Sequence, residues 1–173
     1  MIRRAEEKDI DRIAEIYELI HDDEAAGRAT VGWRRGVYPT RKTAAAAVAA
    51  GEMYVELCDG AITAAGIINQ SQLKEYSDCR WKYPALDDEI MVLHTLVVDP
   101  KSKGRGQGAA FVKFYEEYAL AQGCNYLRID TQEKNTAARA FYKKLGFEET
   151  EIINCTFNGI PGVRLVCLEK KIR

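Results

Sequence analysis

The segment from Leu96 to Tyr115 constrains this chain more than any other. A β-branched apolar run, Leu96-Val97-Val98, stops at Asp99-Pro100. A short basic loop follows, Lys101-Ser102-Lys103-Gly104-Arg105-Gly106-Gln107-Gly108. The next residues, Ala109-Ala110-Phe111-Val112-Lys113-Phe114-Tyr115, read as the first turns of a helix. Strand, glycine loop and helix N-terminus together present bare backbone N–H groups to an anion. Glycine permits close approach because it lacks a Cβ, and it tolerates positive φ. The chain is therefore expected to bind a phosphorylated ligand.

Three phosphate-binding patterns compete for this loop. GxxxxGK[ST] is absent, because no glycine precedes Lys-Ser or Lys-Thr. Gly104, Gly106 and Ala109 fit the dinucleotide pattern GxGxxG/A, with Asp130 about twenty residues on. That fingerprint needs its glycines directly after a strand, whereas Asp99–Lys103 intervenes here and Pro100 ends the strand. The third pattern is a coenzyme A pyrophosphate loop, (Arg/Gln)-x-x-Gly-x-(Gly/Ala). Lys103-Gly104-Arg105-Gly106-Gln107-Gly108 matches it with Lys in the first place.

A second motif separates these patterns. Asn135-Thr136-Ala137-Ala138-Arg139-Ala140-Phe141-Tyr142-Lys143-Lys144-Leu145-Gly146-Phe147 follows the strand-like run Tyr126–Asp130. The glycine loop and N-x-x-A-x-x-F-Y-x-x-x-G-F, in this order, resemble the GNAT superfamily of acyl-CoA-dependent N-acetyltransferases. The resemblance is strongest over residues 89–147. It implies an α+β fold: a mixed, mostly antiparallel sheet of six or seven strands with about four flanking helices. At the centre of such a sheet, the parallel strands ending at Val98 and starting at Tyr126 splay apart to admit the acyl-pantetheine arm.

With 173 residues and a net charge of −1, the chain suits one domain with a sizeable core. The near-neutral charge argues against nucleic-acid and membrane-surface partners. The five cysteines form no CxxC and no Cys/His cluster, so neither a metal nor a disulfide framework is expected. The charged N-terminus does not read as a signal peptide, and no apolar run approaches the ~20 residues of a membrane span. A cytoplasmic enzyme, with a homodimer as an option, is the expectation.

Element signals run along the whole chain. Met1–Ala5 reads as a strand. Asp9 or Asp11 opens a helix carrying Ile10, Ile13, Ile16, Tyr17 and Ile20 at helical spacing. Residues 31–39 form an aromatic, basic loop, and Thr40 or Thr43 opens an alanine-rich helix ending at Gly51. Residues 52–58 and 61–69 read as strands joined by Asp59-Gly60. Residues 71–88 are a long polar and aromatic segment, and 90–98 is the strand before the glycine loop. Helices 109–122 and 136–145 end at Gly123 and Gly146. Residues 147–156 and 163–169 read as a final strand pair.

The resemblance also assigns roles. The phosphates would lie on the N–H groups from Lys103 through Gly104, Arg105, Gly106, Gln107 and Gly108 to Ala109. Backbone groups of Leu96, Val97 and Val98 would hold the pantetheine, and an N–H near Leu96 or Val97 would face the thioester oxygen. Tyr142 would protonate the leaving thiolate. Asn135 would bond the pantetheine, cap the following helix, or do both. His94 is the candidate base, since strand alternation puts His94, Leu96 and Val98 on one face; Glu89 is the second candidate. Trp33, Arg34, Tyr38, Tyr76, Trp81, Tyr83, Phe157 and Asn158 lie in loops around the acceptor cleft, where they either pack or line a pocket. The activity implied is transfer of an acetyl group from acetyl-CoA to a small-molecule or peptide amine in a ternary complex. A non-catalytic acyl-CoA-binding module or sensor is the rival.

Overall fold

A computed structural model describes residues 1–173. Seven strands form one sheet in the order β1-β2-β3-β4-β5-β7-β6. In chain order they are β1 (Ile2–Arg4), β2 (Met53–Cys58), β3 (Ala61–Asn69), β4 (Ile90–Val98), β5 (Tyr126–Gln132), β6 (Glu148–Phe157) and β7 (Ile160–Lys171). Four α-helices flank the sheet: α1 (Ile10–Ala25), α2 (Arg41–Ala49), α3 (Gln107–Ala121) and α4 (Thr136–Lys144). Only β4 and β5 pair in parallel, as expected for the centre of the sheet.

The apolar spacing decides which surfaces meet. Ile13 and Ile16 of α1 are fully buried, and burial of each such side chain contributes roughly 1.5–3 kcal/mol. They pack with α2 against Met53, Val55, Ala65 and Val97 on one sheet face. Phe111 and Tyr115 of α3 pack with Tyr142 of α4 against Leu93, Leu127 and Val166 on the other face. A third cluster lies where the 71–88 segment, through Tyr76 and Cys79, covers Ile90, Val92 and Leu165.

Local chemistry sets the element ends. Thr40 and Thr43 act together at the start of α2 as a reciprocal cap. Asp9 opens no helix by capping; its carboxylate accepts from the Glu6 N–H at 2.8 Å and from Arg3 at 2.7 Å, at the third position of a turn that begins earlier. Asp59 and Gly60 both take positive φ, 51° and 78°, as a two-residue hairpin demands. The last hairpin is tighter than its sequence suggests, because Asn158 and Gly159 alone make the turn. Pro161 and Gly162 sit in β7 at a register shift, where a missing N–H is tolerated.

The parting of β4 and β5 positions the site. Their pairing runs from Ile90↔Tyr126 to Leu93↔Ile129 and then stops. Beyond it β4 stays with β3 and β5 stays with β7, so a gap opens at the C-terminal ends of the parallel pair.

Candidate active site

The site begins with a bulge in β4. Ile67 pairs with His94 and Ala65 with Val97, so Gly66 alone stands opposite Thr95 and Leu96. Thr95 takes φ 53°, a strained value for a β-branched residue, and its hydroxyl hydrogen-bonds the Tyr38 hydroxyl. Simple alternation fails across this extra residue. Leu93, Leu96 and Val98 face α3 and α4, whereas Val97 faces α1 and α2. His94 is therefore not on the face of Leu96 and Val98, which corrects the sequence expectation. Gly66 is required at this point: a Cβ there would lie 2.8 Å from Phe111 Cε1.

One cavity, of about 460 Å³, follows the glycine loop. Leu96, Val97 and Val98 line it, with Lys103, Gly104, Gly106, Gln107, Gly108 and Ala109. Gly104 and Gly106 take φ of 81° and 86° with no atom within 4 Å of a Cβ position. Gly106 therefore starts α3 two residues earlier than expected. From Gly104 to Ala109 no backbone N–H finds an acceptor in the protein. The buried Gln107 Oε1 also lacks a partner. Free N–H groups at a helix N-terminus, an orphaned polar atom and one adjacent cation fit a pyrophosphate. Lys103 reaches Asp23 at 3.2 Å, and Arg105 is exposed outside the cavity lining.

A second cavity, of about 440 Å³, abuts the first in the gap between the parted strands and is lined from both sheet faces, by Ala46, Ala47 and Ile67 and by Leu93, Ala138 and Tyr142. Leu96, Asn135 and Tyr142 border both. Asn135 caps α4, accepting from the Ala138 N–H at 3.2 Å. That cap fixes the start of the helix that carries Tyr142 near its other end; Tyr142 is 7% exposed, and its hydroxyl has no protein partner. Burial, and then the charge of Asp130, hold the Tyr142 phenol well above the usual range.

His94 borders this second cavity, and its Nε2 lies 3.0 Å from Asn69 Oδ1. Asn69 Oδ1 also accepts from the Ser71 N–H at 3.0 Å, and its Nδ2 donates to Glu52 Oε2 at 2.8 Å. With the amide so oriented, Nε2 carries the imidazole proton and Nδ1 keeps the lone pair. Burial lowers the His94 pKa to about 4, against the opposing effects of the Ser71 backbone and the Glu52 charge. Asp130, on β5, behaves oppositely. Burial raises its carboxyl to about 6, although the Tyr76 hydroxyl donates to it at 2.8 Å.

The structure sorts the remaining candidates. Trp33, Tyr38, Phe157 and Asn158 line the second cavity. Trp81 does not: its ring stacks on the Arg128 guanidinium at 4.0 Å and its Nε1 donates to the Tyr76 carbonyl. Tyr83 packs on Tyr126, and Arg34 is exposed. Glu89 lines neither cavity, because its carboxylate accepts from the Leu86 N–H at 2.9 Å and caps a short turn. Asp130, Glu52 and Asn69 were missed as cavity residues. Asp130 had a legible signal: it ends the strand that the GNAT resemblance places beside His94.

Residues 13–147 match the model of the acetyltransferase (GNAT) family, and the chain belongs to that family. It is 37% identical over 76 residues to an uncharacterized N-acetyltransferase of Methanocaldococcus jannaschii, a match covering 44% of this chain and 34% of that protein. The chain spans 34% to 41% of the length of the curated relatives it matches. A GNAT-family acetyltransferase from Streptococcus agalactiae shares the fold at TM-score 0.82 and 21% identity, covering 100% of this chain and 95% of that one. An acetyltransferase from Salmonella typhimurium, solved with its cofactor acetyl-CoA, superposes at TM-score 0.71 and 17% identity, covering 100% and 94%.

Proposed function

We propose that the protein transfers an acetyl group from acetyl-CoA to a primary amine by direct attack within a ternary complex. One observation carries this reading. Two cavities of opposite character meet at Leu96 and Tyr142: one is lined by free N–H groups and Lys103, the other by Glu52 and Asp130 with no Lys or Arg. The first suits a phosphorylated carrier and the second an amine.

Acetyl-CoA supplies a thioester, which an uncharged amine can attack. An alkylammonium with pKa near ~10.4 must first lose a proton. Asp130, at about 6, is better matched to that task near neutral pH than His94, at about 4. His94 then orients the amine through its Nδ1 lone pair. In this reading a backbone N–H at the bulge, near Leu96 or Val97, donates to the carbonyl oxygen. As the carbon–sulfur bond breaks, the Tyr142 hydroxyl gives its proton to the sulfur; its high pKa keeps it protonated until then, and the second proton lost by the newly acylated nitrogen restores it.

Calorimetry with acetyl-CoA and a thiol-release assay across an amine panel test the reading. Binding, amine-dependent thiol release and intersecting initial-rate patterns are expected. Binding without thiol release for any amine overturns it in favour of a non-catalytic binding module.

A further inference from the structure

The acceptor cavity holds two carboxylates and no cation, and they are far apart. Asp130 stands on β5, and Glu52 immediately precedes β2. Three strand intervals separate them, at least roughly 14 Å between backbones, because β4 and β5 part beside Asp130. Asp130 lies at the reacting end, because its charge is felt by the Tyr142 and Tyr38 hydroxyls. Glu52 lies at the other end, beside Asn69 and the small side chains Ala46 and Ala47. Neither carboxylate forms an ion pair: Asp130 is met by the Tyr76 hydroxyl and Glu52 by the Asn69 amide, each through one oxygen. Tyr142 is a buried residue whose hydroxyl has no protein partner, and it lines the same space.

We propose that the acceptor is a flexible diamine, with one nitrogen acetylated beside Asp130 and the other held as an ammonium by Glu52. This rests on the acetyltransferase reading above. The stretch between the carboxylates suits a chain of methylenes: Ile67 and Leu93 line it, and Trp33 and Tyr38 offer aromatic surface, their rings 6.1 Å apart and edge to face. An acceptor with its own carboxylate or phosphate meets no Lys or Arg there and faces two like charges. A neutral alkyl monoamine fills the apolar stretch but leaves Glu52 unpaired.

The test uses the full chain, acetyl-CoA and thiol-release kinetics. The panel contains alkyl diamines of three to eight carbons, n-alkyl monoamines of matched length and ω-amino acids of matched length. The diamines should exceed the monoamines in kcat/KM by roughly 10- to 100-fold, the range of one charge-assisted hydrogen bond. The ω-amino acids should be slowest. Glu52→Gln should bring the diamine-to-monoamine ratio close to one; should that variant fail to fold, the wild-type panel decides alone. Monoamines turned over as fast as diamines, or a ratio retained in Glu52→Gln, overturns this proposal while leaving the acetyltransferase reading intact. No thiol release with any amine overturns both.

Discussion

His94 and Asp130 should make opposite and nearly equal contributions to the acid stability of this protein. Unfolded, His94 takes a proton near 6.5; folded, it resists until about 4. Between those values the unfolded state binds more protons, so acidification destabilises the native state. The gap, at about 1.4 kcal/mol per pH unit, is worth roughly 3 kcal/mol. Asp130 moves from 3.8 unfolded to about 6 folded, so there the native state binds more protons. Acidification through that window stabilises it, again by roughly 3 kcal/mol. In the wild type the two effects oppose each other, and each single variant should unmask the other. Urea unfolding at pH 7 and pH 4, taken as variant minus wild type, removes the contribution of surface carboxylates such as Glu133. His94→Gln should gain up to roughly 3 kcal/mol on the wild type between pH 7 and pH 4, and Asp130→Asn should lose a similar amount. A His94→Gln curve parallel to the wild type would mean that the imidazole titrates as a solvated group, and would refute the reasoning.

Gly106→Glu should sharply weaken acetyl-CoA binding in calorimetry, because the new side chain and charge enter the space beside the free N–H groups; unchanged affinity would move the phosphates elsewhere. Tyr142→Phe should lower kcat by ~10²-fold or more with little change in acetyl-CoA affinity; an unchanged kcat where chemistry limits the rate would leave Tyr142 as packing alone. Gly66→Ala should destabilise the fold by about 1–3 kcal/mol, since its methyl meets Phe111 Cε1 at 2.8 Å, and thermal melting reads this directly.

Most elements were legible because their signals are local. The isoleucine spacing of α1, the Asp59-Gly60 turn and the glycines after α3 and α4 act within a few residues. The bulge at Thr95 was not legible. A threonine at φ 53° has no sequence signature, and it is held there by Tyr38, a residue distant in the chain. Missing it put His94 on the wrong face. Glu89 and Trp81 misled for a related reason: each has the chemistry of a site residue, but a turn N–H and the Arg128 side chain respectively occupy it. Glu52, at a strand start, reads as an ordinary solvated charge until β2 is set beside β3.

A sheet normally meets other chains at its rim, where unpaired strand edges face solvent. The parting of β4 and β5 after Leu93 and Ile129 instead puts two such edges in the middle of the molecule. Helices α3 and α4 lie over one side, and the segment bearing Trp33 and Tyr38 over the other. An extended chain with amide groups at strand spacing would find unpaired backbone there on both sides. The free edges of this sheet thus lie at its centre as well as at its rim, turned toward a small ligand and away from a neighbouring protein.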